Sequence, residues 1–366
     1  MKIKRLVIEN FKSIERIELI EPNPFTVFVG PNGSGKSNIF EALEYVNLSS
    51  KSLNNEVDEL FGGENVFLNR NLSKDKRQIE FTCQFESFES IFRKTYNKET
   101  TSFISDEGFS KLTKPTEKVF SINNTREKDI LIKSKNFHYQ SEYQEDILNV
   151  EKIVTSDYIQ FFNKFSRIFV SSIRYEKQIR DSSLRLSLSA NNLEKVLRRL
   201  LSDPIINEEF QDWLSLFIPS FSNIEVRTDE LTGSDNLLIY EKNYIKPFTK
   251  ALISDGTYNI LCLLTAIYQS EDPQFLCIEE PENGLNPKVV RELVNLCRYA
   301  CEEKGHFIWL NTHSQTLVSQ LTPDEIILVD KKEGATQTKQ IKGMNLHGLP
   351  MDEAWLSKVL GGGLPW

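Results

Sequence analysis

The segment GPNGSGKS, from Gly30 to Ser37, has the spacing G-x-x-x-x-G-K-[ST] that suits phosphate chemistry. Glycines let backbone N–H groups converge on phosphate oxygens, and a following helix adds its positive N-terminal end. In this pattern Lys36 reaches the β and γ phosphates and the Ser37 hydroxyl ligates Mg2+. The alternative is a plain glycine-rich turn, but an apolar strand precedes the loop and a helix follows it. The predicted nucleotide-binding residues are Asn32, Gly33, Ser34, Gly35, Lys36, Ser37 and Asn38.

Two adjacent glutamates, Glu279 and Glu280, follow an apolar run at residues 275–278. Adjacent carboxylates repel, so a buried strand end that holds both needs a positive charge nearby. We expect this strand to lie beside the strand at residues 25–30, which would bring the pair close to Lys36 and the metal. By position, we predict that Glu279 holds Mg2+ through its water shell and that Glu280 deprotonates the attacking water. The alternative is a pair of glutamates on an exposed turn.

His313 lies at the end of an apolar strand, in the segment LNTHS. A histidine there can sense a γ phosphate or hydrogen-bond the attacking water. A lone histidine at a strand end is more often structural. The chain has four histidines, namely His138, His306, His313 and His347. Because His313 is the one whose placement suits this site, we predict that it is catalytic.

The segment SDGT opens a predicted helix at residues 254–268. Serine is a good N-cap, and a helix that starts with small residues is a second anion site, here without a lysine of its own. By itself such a start is an ordinary cap and turn, and its position ahead of the acidic strand is what favours a function. The four residues of this segment are Ser254, Asp255, Gly256 and Thr257.

Strands and helices that position these segments are predicted from apolar periodicity. Predicted strands cover residues 3–8, 14–20, 25–30, 78–88, 118–123, 129–135, 167–173, 275–278, 306–311 and 325–329, with two or three more between 223 and 250. Predicted helices follow the phosphate loop, cover residues 145–165, 191–218, 254–268 and 287–303, and recur briefly in 49–75 and the tail. The alternation near the C-terminus predicts an α/β fold with a mostly parallel sheet core, and the middle third predicts an insertion with an antiparallel sheet.

Composition indicates an ordinary globular chain of 366 residues, 39% hydrophobic and 26% charged. The net charge of -8 argues against a protein that coats nucleic acid, although it allows a local basic groove. The five cysteines are scattered and mostly within apolar runs, typical of buried thiols, and we assign no metal to Cys297 and Cys301. The longest apolar run, at residues 260–268, is too short to span a membrane. We therefore expect a cytoplasmic protein without membrane contact of its own.

Taken in order, the segments LVIENFKSIE, GPNGSGKSN, SDGT, CIEEPENGLNP and NTHS resemble the ABC-type ATPase head shared by the RecF, SMC and OLD families. The similarity is greatest to the bacterial ATPases described as OLD-like or AAA_21, and it covers about residues 1–50 and 165–330. It implies a P-loop NTPase fold of ABC-ATPase type with ATP and Mg2+ as cofactors. Within it, the glycine loop is the Walker A motif, the acidic strand Walker B, SDGT the signature, NGLNP the D-loop and His313 the switch.

The resemblance also implies a homodimer that sandwiches ATP, in which Ser254 and Gly256 contact the γ phosphate bound by a second protomer. Two departures from the family pattern are visible. The metal carboxylate is Glu279 where aspartate is common, and no convincing Q-loop glutamine can be assigned, although Gln84 follows a plausible strand. We expect no coiled-coil arms, since no sustained heptads lie between Ser37 and Ser254, and no TOPRIM domain after His313.

The predicted domains are an ATPase core of residues 1–175 and 251–366, with an antiparallel β insertion at about 76–140, and a helical lobe with short strands at 176–250. The resemblance implies an ATPase that controls a separate effector protein, which in bacteria with such OLD-like ATPases is often a part of defence against phage.

The alternatives are a RecF-like ATPase that binds DNA in repair, a transporter ATPase, and a switch that does not hydrolyse ATP, which rests on Glu279. For DNA, the candidate cations are Lys74, Lys76, Arg77, Lys195, Arg198 and Arg199. Runs of this kind are usually solvated surfaces.

Overall fold

The structure, a computed structural model, describes residues 3–49, 54–69, 78–84, 88–97, 102–111, 118–124, 131–132, 164–170 and 185–363. The chain divides into two compact units. The first comprises residues Met1–Asn163, Pro323–Asn345 and Trp355–Trp366, and the second Lys164–Thr322 and Leu346–Ala354. The domain boundaries predicted from the sequence group the residues differently and stay a prediction. The predicted helix at 145–165 lies almost entirely outside the described residues.

The first unit contains an antiparallel sheet of seven strands in the order β2-β1-β4-β5-β6-β7-β8. Its strands are β1 (Arg5–Phe11), β2 (Ile14–Ile20), β4 (Gln78–Gln84), β5 (Phe88–Asn97), β6 (Ser102–Lys111), β7 (Lys118–Asn124) and β8 (Leu131–Ile132). The predicted antiparallel sheet is therefore confirmed, although β5 and β6 were not predicted and the sheet also includes β1 and β2. Its assignment as an insertion at about 76–140 stays a prediction. The first strand, predicted to end at residue 8, continues to Phe11, whose ring is buried against Tyr45 and Phe81.

A second group of strands in this unit carries the glycine-rich loop. It comprises β3 (Phe25–Val29), β15 (Ile326–Lys332) and β16 (Ala335–Gln340). β3 and β15 are parallel, with Val27 opposite Ile326, and β16 is antiparallel to β15. All five residues of β3 are buried, as a fully apolar strand predicts. The polar strand β16 was not predicted.

The helices of the first unit are α1 (Lys36–Ser49), α2 (Asn54–Leu60) and α3 (Glu64–Phe67). The apolar face of α1 packs its Tyr45 ring 5.2 Å from those of Phe61 and Phe67, which orders the segment that follows the helix. The short predicted helix of the C-terminal tail is α9 (Met351–Leu356), of which residues 351–354 belong to the second unit. In the first unit, the indole of Trp355 donates to the carbonyl oxygen of Gly363.

The second unit is built on three parallel strands, β9 (Phe165–Ile168), β13 (Phe275–Glu279) and β14 (Phe307–Thr312). β13 lies in the middle, with β9 on one side and β14 on the other. Both of its edges are therefore occupied within its own unit, and the prediction that it lies directly beside β3 is wrong. The predicted strand at 167–173 begins earlier, at Phe165, because its ring packs on that of Phe275 in β13.

The remaining helices of this unit are α4 (Leu193–Leu201), α5 (Pro204–Phe217), α6 (Asp255–Tyr268), α7 (Pro287–Glu302) and α8 (Gln315–Val318). The stretch 191–218, predicted as helical, consists of two helices. Asp203 accepts from the backbone N–H groups of Ile205 and Ile206, and Pro204 occupies the first position of the new helix. Proline cannot continue a preceding helix but suits the start of another, so the break follows from sequence.

Three antiparallel strands lie between α5 and α6, which confirms the prediction for residues 223–250. They are β10 (Phe221–Thr228), β11 (Asp235–Glu241) and β12 (Phe248–Thr249). Across the described ranges of both units, every helix is too short or too polar to cross a bilayer. Four of the five cysteines, Cys83, Cys262, Cys277 and Cys297, are buried free thiols, as their apolar surroundings predicted.

Candidate functional site

The glycine-rich loop joins β3 to α1 and requires glycine at three positions. Gly33 and Gly35 have φ angles of 79° and 103°, a region that strains any residue with a side chain. A Cβ atom on Gly30 would lie 2.1 Å from the carbonyl oxygen of Val329, and one on Gly35 would lie 2.0 Å from Oγ1 of Thr336. Backbone conformation and close packing thus explain the glycines of the motif.

The side chains of Lys36 and Ser34 turn into this loop. Nζ of Lys36 donates to the carbonyl oxygens of Gly30, at 2.7 Å, and Pro31, at 2.9 Å. The hydroxyl of Ser34 is buried, and no hydrogen-bond partner for its Oγ atom occurs among the described residues. A buried polar atom without a partner is costly, so a ligand oxygen at the loop would satisfy it. An ammonium group, a spare hydroxyl and a glycine backbone are a donor set that fits a nucleotide phosphate.

A chain of hydrogen bonds between side chains supports the glycine-rich loop. Nδ2 of Asn38 donates to Oγ of Ser13, whose hydroxyl lies 2.6 Å from Oγ1 of Thr336. Thr336 in turn donates to the carbonyl oxygen of Ser34 at 3.0 Å. The side-chain amide of Asn38, predicted to bind nucleotide, is thus engaged in holding the loop. Ser13 and Thr336 were not predicted, because they are far apart in the chain and lie in a turn and in an unpredicted strand.

The carboxylate of Glu279, at the end of β13, is held on both oxygens by the neighbouring strands. Arg167 on β9 donates from Nε to Oε1 at 2.6 Å, and its Nη2 contacts the same oxygen. Asn311 on β14 donates from Nδ2 to Oε2 at 3.1 Å. All three side chains are buried. Arg167 therefore supplies positive charge that the sequence analysis sought only in Lys36 and Mg2+.

Glu280 leaves the strand in a strained backbone conformation. Its φ angle is 45°, in the left-handed region that non-glycine residues seldom adopt. The conformation is held because its N–H group donates to both the backbone oxygen and Oδ1 of Asn311, at 3.1 Å each. Strain of this kind costs on the order of 1 kcal/mol and clusters at functional sites.

The side chain of Glu280 lies between two polar groups. Its Oε1 atom is 3.4 Å from Nδ1 of His313, and its Oε2 atom accepts from Nδ2 of Asn283 at 3.0 Å. The side chains of Glu280 and His313 are 28% and 41% exposed, so water reaches both. The two residues predicted to be catalytic are thus brought together, while Asn283 and Asn311 were not predicted.

The SDGT segment forms the exposed start of α6. Ser254 is the N-cap, with its Oγ atom accepting from the N–H group of Thr257 at 3.1 Å. Asp255 is also exposed, and Gly256 packs so closely that a Cβ atom there would lie 2.4 Å from the carbonyl oxygen of Gly284. The predicted cap is confirmed, and the predicted signature start packs directly on the loop that follows Glu280.

One further residue of α6 binds this loop. Nδ2 of Asn259 donates to the carbonyl oxygens of Pro281, at 2.9 Å, and Asn283, at 3.0 Å. The loop then ends at Asn286, which caps α7 by accepting from the N–H group of Val289. The segment from Glu280 to Asn286 is therefore fixed at both ends and in its middle by hydrogen bonds.

Two further residues named in the sequence are His306 and Gln84. His306 is fully buried, with Nδ1 accepting from the N–H group of Gln274 and Nε2 lying 3.0 Å from the carbonyl oxygen of Ile267. Burial lowers its pKa to about 4, which suits a neutral structural histidine. Gln84 is the last residue of β4, and its assignment to the Q-loop stays a prediction. His138 lies outside the described residues.

A buried strand that leads through a glycine-rich loop into a helix, with acidic residues at the carboxyl end of a parallel strand, defines the class of P-loop ATPases. The sequence model of the AAA_21 family, described as "AAA domain, putative AbiEii toxin, Type IV TA system", matches residues 25–319. This is most of the chain, which therefore belongs to the AAA_21 family and is an ABC-type ATPase of the RecF/SMC group.

Curated relatives are similar over shorter stretches. The DNA replication and repair protein RecF of Leptospira interrogans is 31% identical over 102 residues, which are 27% of this chain and 28% of RecF. The structural maintenance of chromosomes protein 1 of Caenorhabditis elegans is 29% identical over 176 residues, 47% of this chain and 13% of that protein. The chain thus spans less than a third of the length of either relative.

Solved structures share the fold at low identity. The structure of an Smc head bound to the C-winged helix domain of ScpA has a TM-score of 0.51 and 12% identity, covering 95% of this chain and 99% of that one. An Smc head with an extended coiled coil, bound to the C-terminal domain of ScpA from Pyrococcus furiosus, has a TM-score of 0.50 and 14% identity, covering 99% of each chain. This likeness shows the fold, and the absence of arms and of a TOPRIM domain stays a prediction.

Proposed function

We propose that this chain binds ATP on the loop Gly30–Ser37 and hydrolyses it with Glu280 as the general base. The observation that carries the proposal is the contact between Glu280 and His313, with Glu280 held in a strained conformation and both side chains open to water. A general base must hydrogen-bond the water that attacks the γ phosphate, and a strained, partly exposed carboxylate beside a histidine suits that role.

The other site residues take the roles expected in phosphoryl transfer. Lys36 exchanges its loop carbonyls for β and γ phosphate oxygens, and the N–H groups of Gly33, Gly35 and the start of α1 bind the same oxygens. Mg2+ neutralises phosphate charge when bound, and Ser37 and Glu279 are the residues that would hold it, the glutamate through water. His313 hydrogen-bonds the γ phosphate or the attacking water.

Two copies of the chain are proposed to close on ATP. The start of α6 is exposed and offers the N–H groups of an anion site but no lysine, so it suits a nucleotide held by the loop of a partner. In this arrangement Ser254, Asp255, Gly256 and Thr257 complete the site of a second protomer. Nucleotide and dimerisation are then linked, because neither site is complete without the other copy.

The output of the cycle is proposed to be control of a separate effector protein in bacterial defence against phage. The solved Smc heads are bound to domains of another protein, ScpA, which supports a head that acts through a partner. The family description mentions a toxin, which favours defence over transport.

The second candidate is a RecF-like ATPase that binds DNA, and the similarity to RecF favours it. Two of the predicted DNA-binding cations make other contacts, since Arg198 pairs with Asp235 and Arg199 donates to the carbonyl oxygen of Gln269. Lys74, Lys76 and Arg77 lie outside the described residues. The DNA candidate therefore rests on the relatives more than on these side chains.

The deciding experiment compares ATP turnover by the purified wild-type chain, by Glu280→Gln and by Glu302→Gln, the same change at an exposed position on α7. We expect hydrolysis by wild type and Glu302→Gln and a loss of about 10²-fold or more in Glu280→Gln. Glu280→Gln should still bind a fluorescent ATP analogue and should accumulate as a dimer in light scattering. Rapid hydrolysis by Glu280→Gln would exclude the role given to this carboxylate.

Stimulation of ATP hydrolysis by DNA that falls with added salt would favour the RecF-like candidate.

A further inference from the structure

We propose that Asn311 is a positioning residue that fixes the metal carboxylate and the catalytic base relative to each other. The proposal rests on the proposed roles of Glu279 and Glu280. Asn311 lies on β14 directly opposite Glu279 in the parallel pairing with β13. Its side chain is 1% exposed and touches both glutamates.

The two contacts use opposite ends of one amide. Nδ2 donates to Oε2 of Glu279 at 3.1 Å, and Oδ1 accepts from the backbone N–H group of Glu280 at 3.1 Å. Because the amide is planar, it sets the distance between the carboxylate of one glutamate and the backbone of the next. The neutral amide of asparagine carries a donor at one end and an acceptor at the other, and an apolar side chain would leave both contacts unmade.

The backbone contact has a specific consequence for Glu280. Its left-handed φ angle is disfavoured, and the N–H group is held by two oxygens of Asn311, one from the side chain and one from the main chain. The side-chain oxygen therefore adds to the restraint that turns Glu280 toward His313. Asn311 acts through these residues and contacts no reacting atom itself.

Several charged side chains of the second unit lie near Asn311. Arg167 approaches from β9 through Glu279, and Glu280 and His313 follow the ends of β13 and β14. Glu282 accepts from the hydroxyl of Thr312, the next residue on β14. A new carboxylate at position 311 would face Glu279 at close range, with Arg167 on the far side of that glutamate.

This setting makes Asn311→Asp a selective probe. Aspartate keeps the shape and the acceptor for Glu280, but when ionised it loses the donor for Glu279 and repels it. When it takes up a proton from solvent, its O–H group can donate to Oε2 of Glu279 again. Function lost at high pH should therefore return as the pH falls, which a merely structural defect would not show.

The experiment measures ATP turnover against pH for wild type, Asn311→Asp and Asn295→Asp, the same change at an exposed position on α7. At pH 8 we expect Asn311→Asp to have a kcat lower by about tenfold or more, with binding of an ATP analogue within about twofold of wild type. The ratio to wild type should rise as the pH is lowered, and Asn295→Asp should follow wild type throughout. A profile for Asn311→Asp that parallels wild type overturns the proposal.

A second readout does not depend on turnover. The thermal midpoint of nucleotide-free Asn311→Asp should lie below that of wild type at pH 8, and the difference should shrink as the pH falls. If wild type hydrolyses no ATP, the proposed function fails, while this series still tests the bonds of Asn311. A difference in thermal midpoint that is independent of pH contradicts the proposed bonds of Asn311.

A second variant, Asn311→Ala, adds no charge and covers the case in which the aspartate variant fails to fold. It should have a lower kcat than wild type, without recovery in acid. An unchanged kcat in that variant also overturns the proposal.

Discussion

The guanidinium group of Arg167 lies against the carboxylate of Glu279, with 2.6 Å between Nε and Oε1 and both side chains buried. The two residues belong to neighbouring parallel strands and are far apart in the chain. An ionised carboxylate is costly to bury alone, and the fork of arginine offers several donors to it. The carboxylate of Glu279 therefore has a positively charged partner within the protein itself. Its position at the end of β13 depends on this residue of β9.

Replacing Arg167 should cost more stability than an ordinary loss of a contact. In Arg167→Met the carboxylate of Glu279 stays buried and loses its positive partner, although Asn311 remains bonded to it. Removing one member of a buried pair typically costs about 3–5 kcal/mol. We expect a loss of that order in the free energy of unfolding, measured by urea denaturation at pH 7.5.

The matched control is Arg227→Met, which breaks an exposed pair with Glu225 on β10. Exposed pairs contribute little, so this variant should unfold at the wild-type urea concentration. Equal losses in the two variants would contradict a special role for the buried pair.

Alanine at the two strained glycines of the loop should have different effects. Gly33→Ala places its Cβ atom in open space and suffers only from its φ angle of 79°, which predicts a loss of about 1 kcal/mol. Gly35→Ala has the same kind of strain, and its Cβ atom also meets Oγ1 of Thr336 at 2.0 Å. It should displace Thr336 from its hydrogen bond to the loop and abolish ATP-analogue binding in a fluorescence titration, while Gly33→Ala retains measurable binding. Equal affinities of the two variants for the analogue would show that the hydrogen bonds of Thr336 are not needed for nucleotide binding.

The glycine-rich loop, the acidic strand end and the helix cap at Ser254 were predictable because each depends on residues close in sequence. Local spacing determines where backbone N–H groups converge and where a helix starts. The break at Pro204 was also readable from the chain, although the apolar periodicity on both sides obscured it.

The partners of these motifs were not predictable in the same way. Arg167, Asn311 and Thr336 reach their contacts through the order and register of strands, which depend on pairing between distant segments. The error of placing β13 directly beside β3 has this origin, since alternating strands and helices do not state which strands are neighbours. In the sequence alone, nothing distinguishes Arg167 from other charged residues near apolar strands, because its partner Glu279 is reached only through the strand pairing.

Stability should fall in mild acid because of His306. Its folded pKa is about 4, whereas an unfolded histidine has a pKa near 6.5. Between these values the unfolded chain binds a proton that the folded chain does not, so stability present above pH 6.5 is lost as the pH falls toward 4. The shift predicts that the free energy of unfolding falls by about 3 kcal/mol between pH 7.5 and pH 4.5, measured by urea denaturation at the two pH values.

The variant His306→Asn tests this assignment, and His347→Asn, at an exposed position, is its control. The first should be less stable at neutral pH but should lose less stability on acidification, whereas the second should follow wild type. If His306→Asn keeps the wild-type dependence on pH, other groups are responsible for it.

Removing the side-chain amide of Asn259 should slow hydrolysis without removing a residue of the proposed catalytic set. The amide holds the carbonyl oxygens of Pro281 and Asn283, and Asn283 in turn donates to the carboxylate of Glu280. In Asn259→Leu the shape is nearly kept, but both carbonyl oxygens lose their donor, so the loop after Glu280 is less restrained. We expect kcat to fall by about tenfold while the affinity for an ATP analogue is unchanged, because the phosphate loop is not touched. Asn259→Asp, which also lacks the donor and adds repulsion, should be slower still, and normal turnover in both variants would show that α6 does not position Glu280.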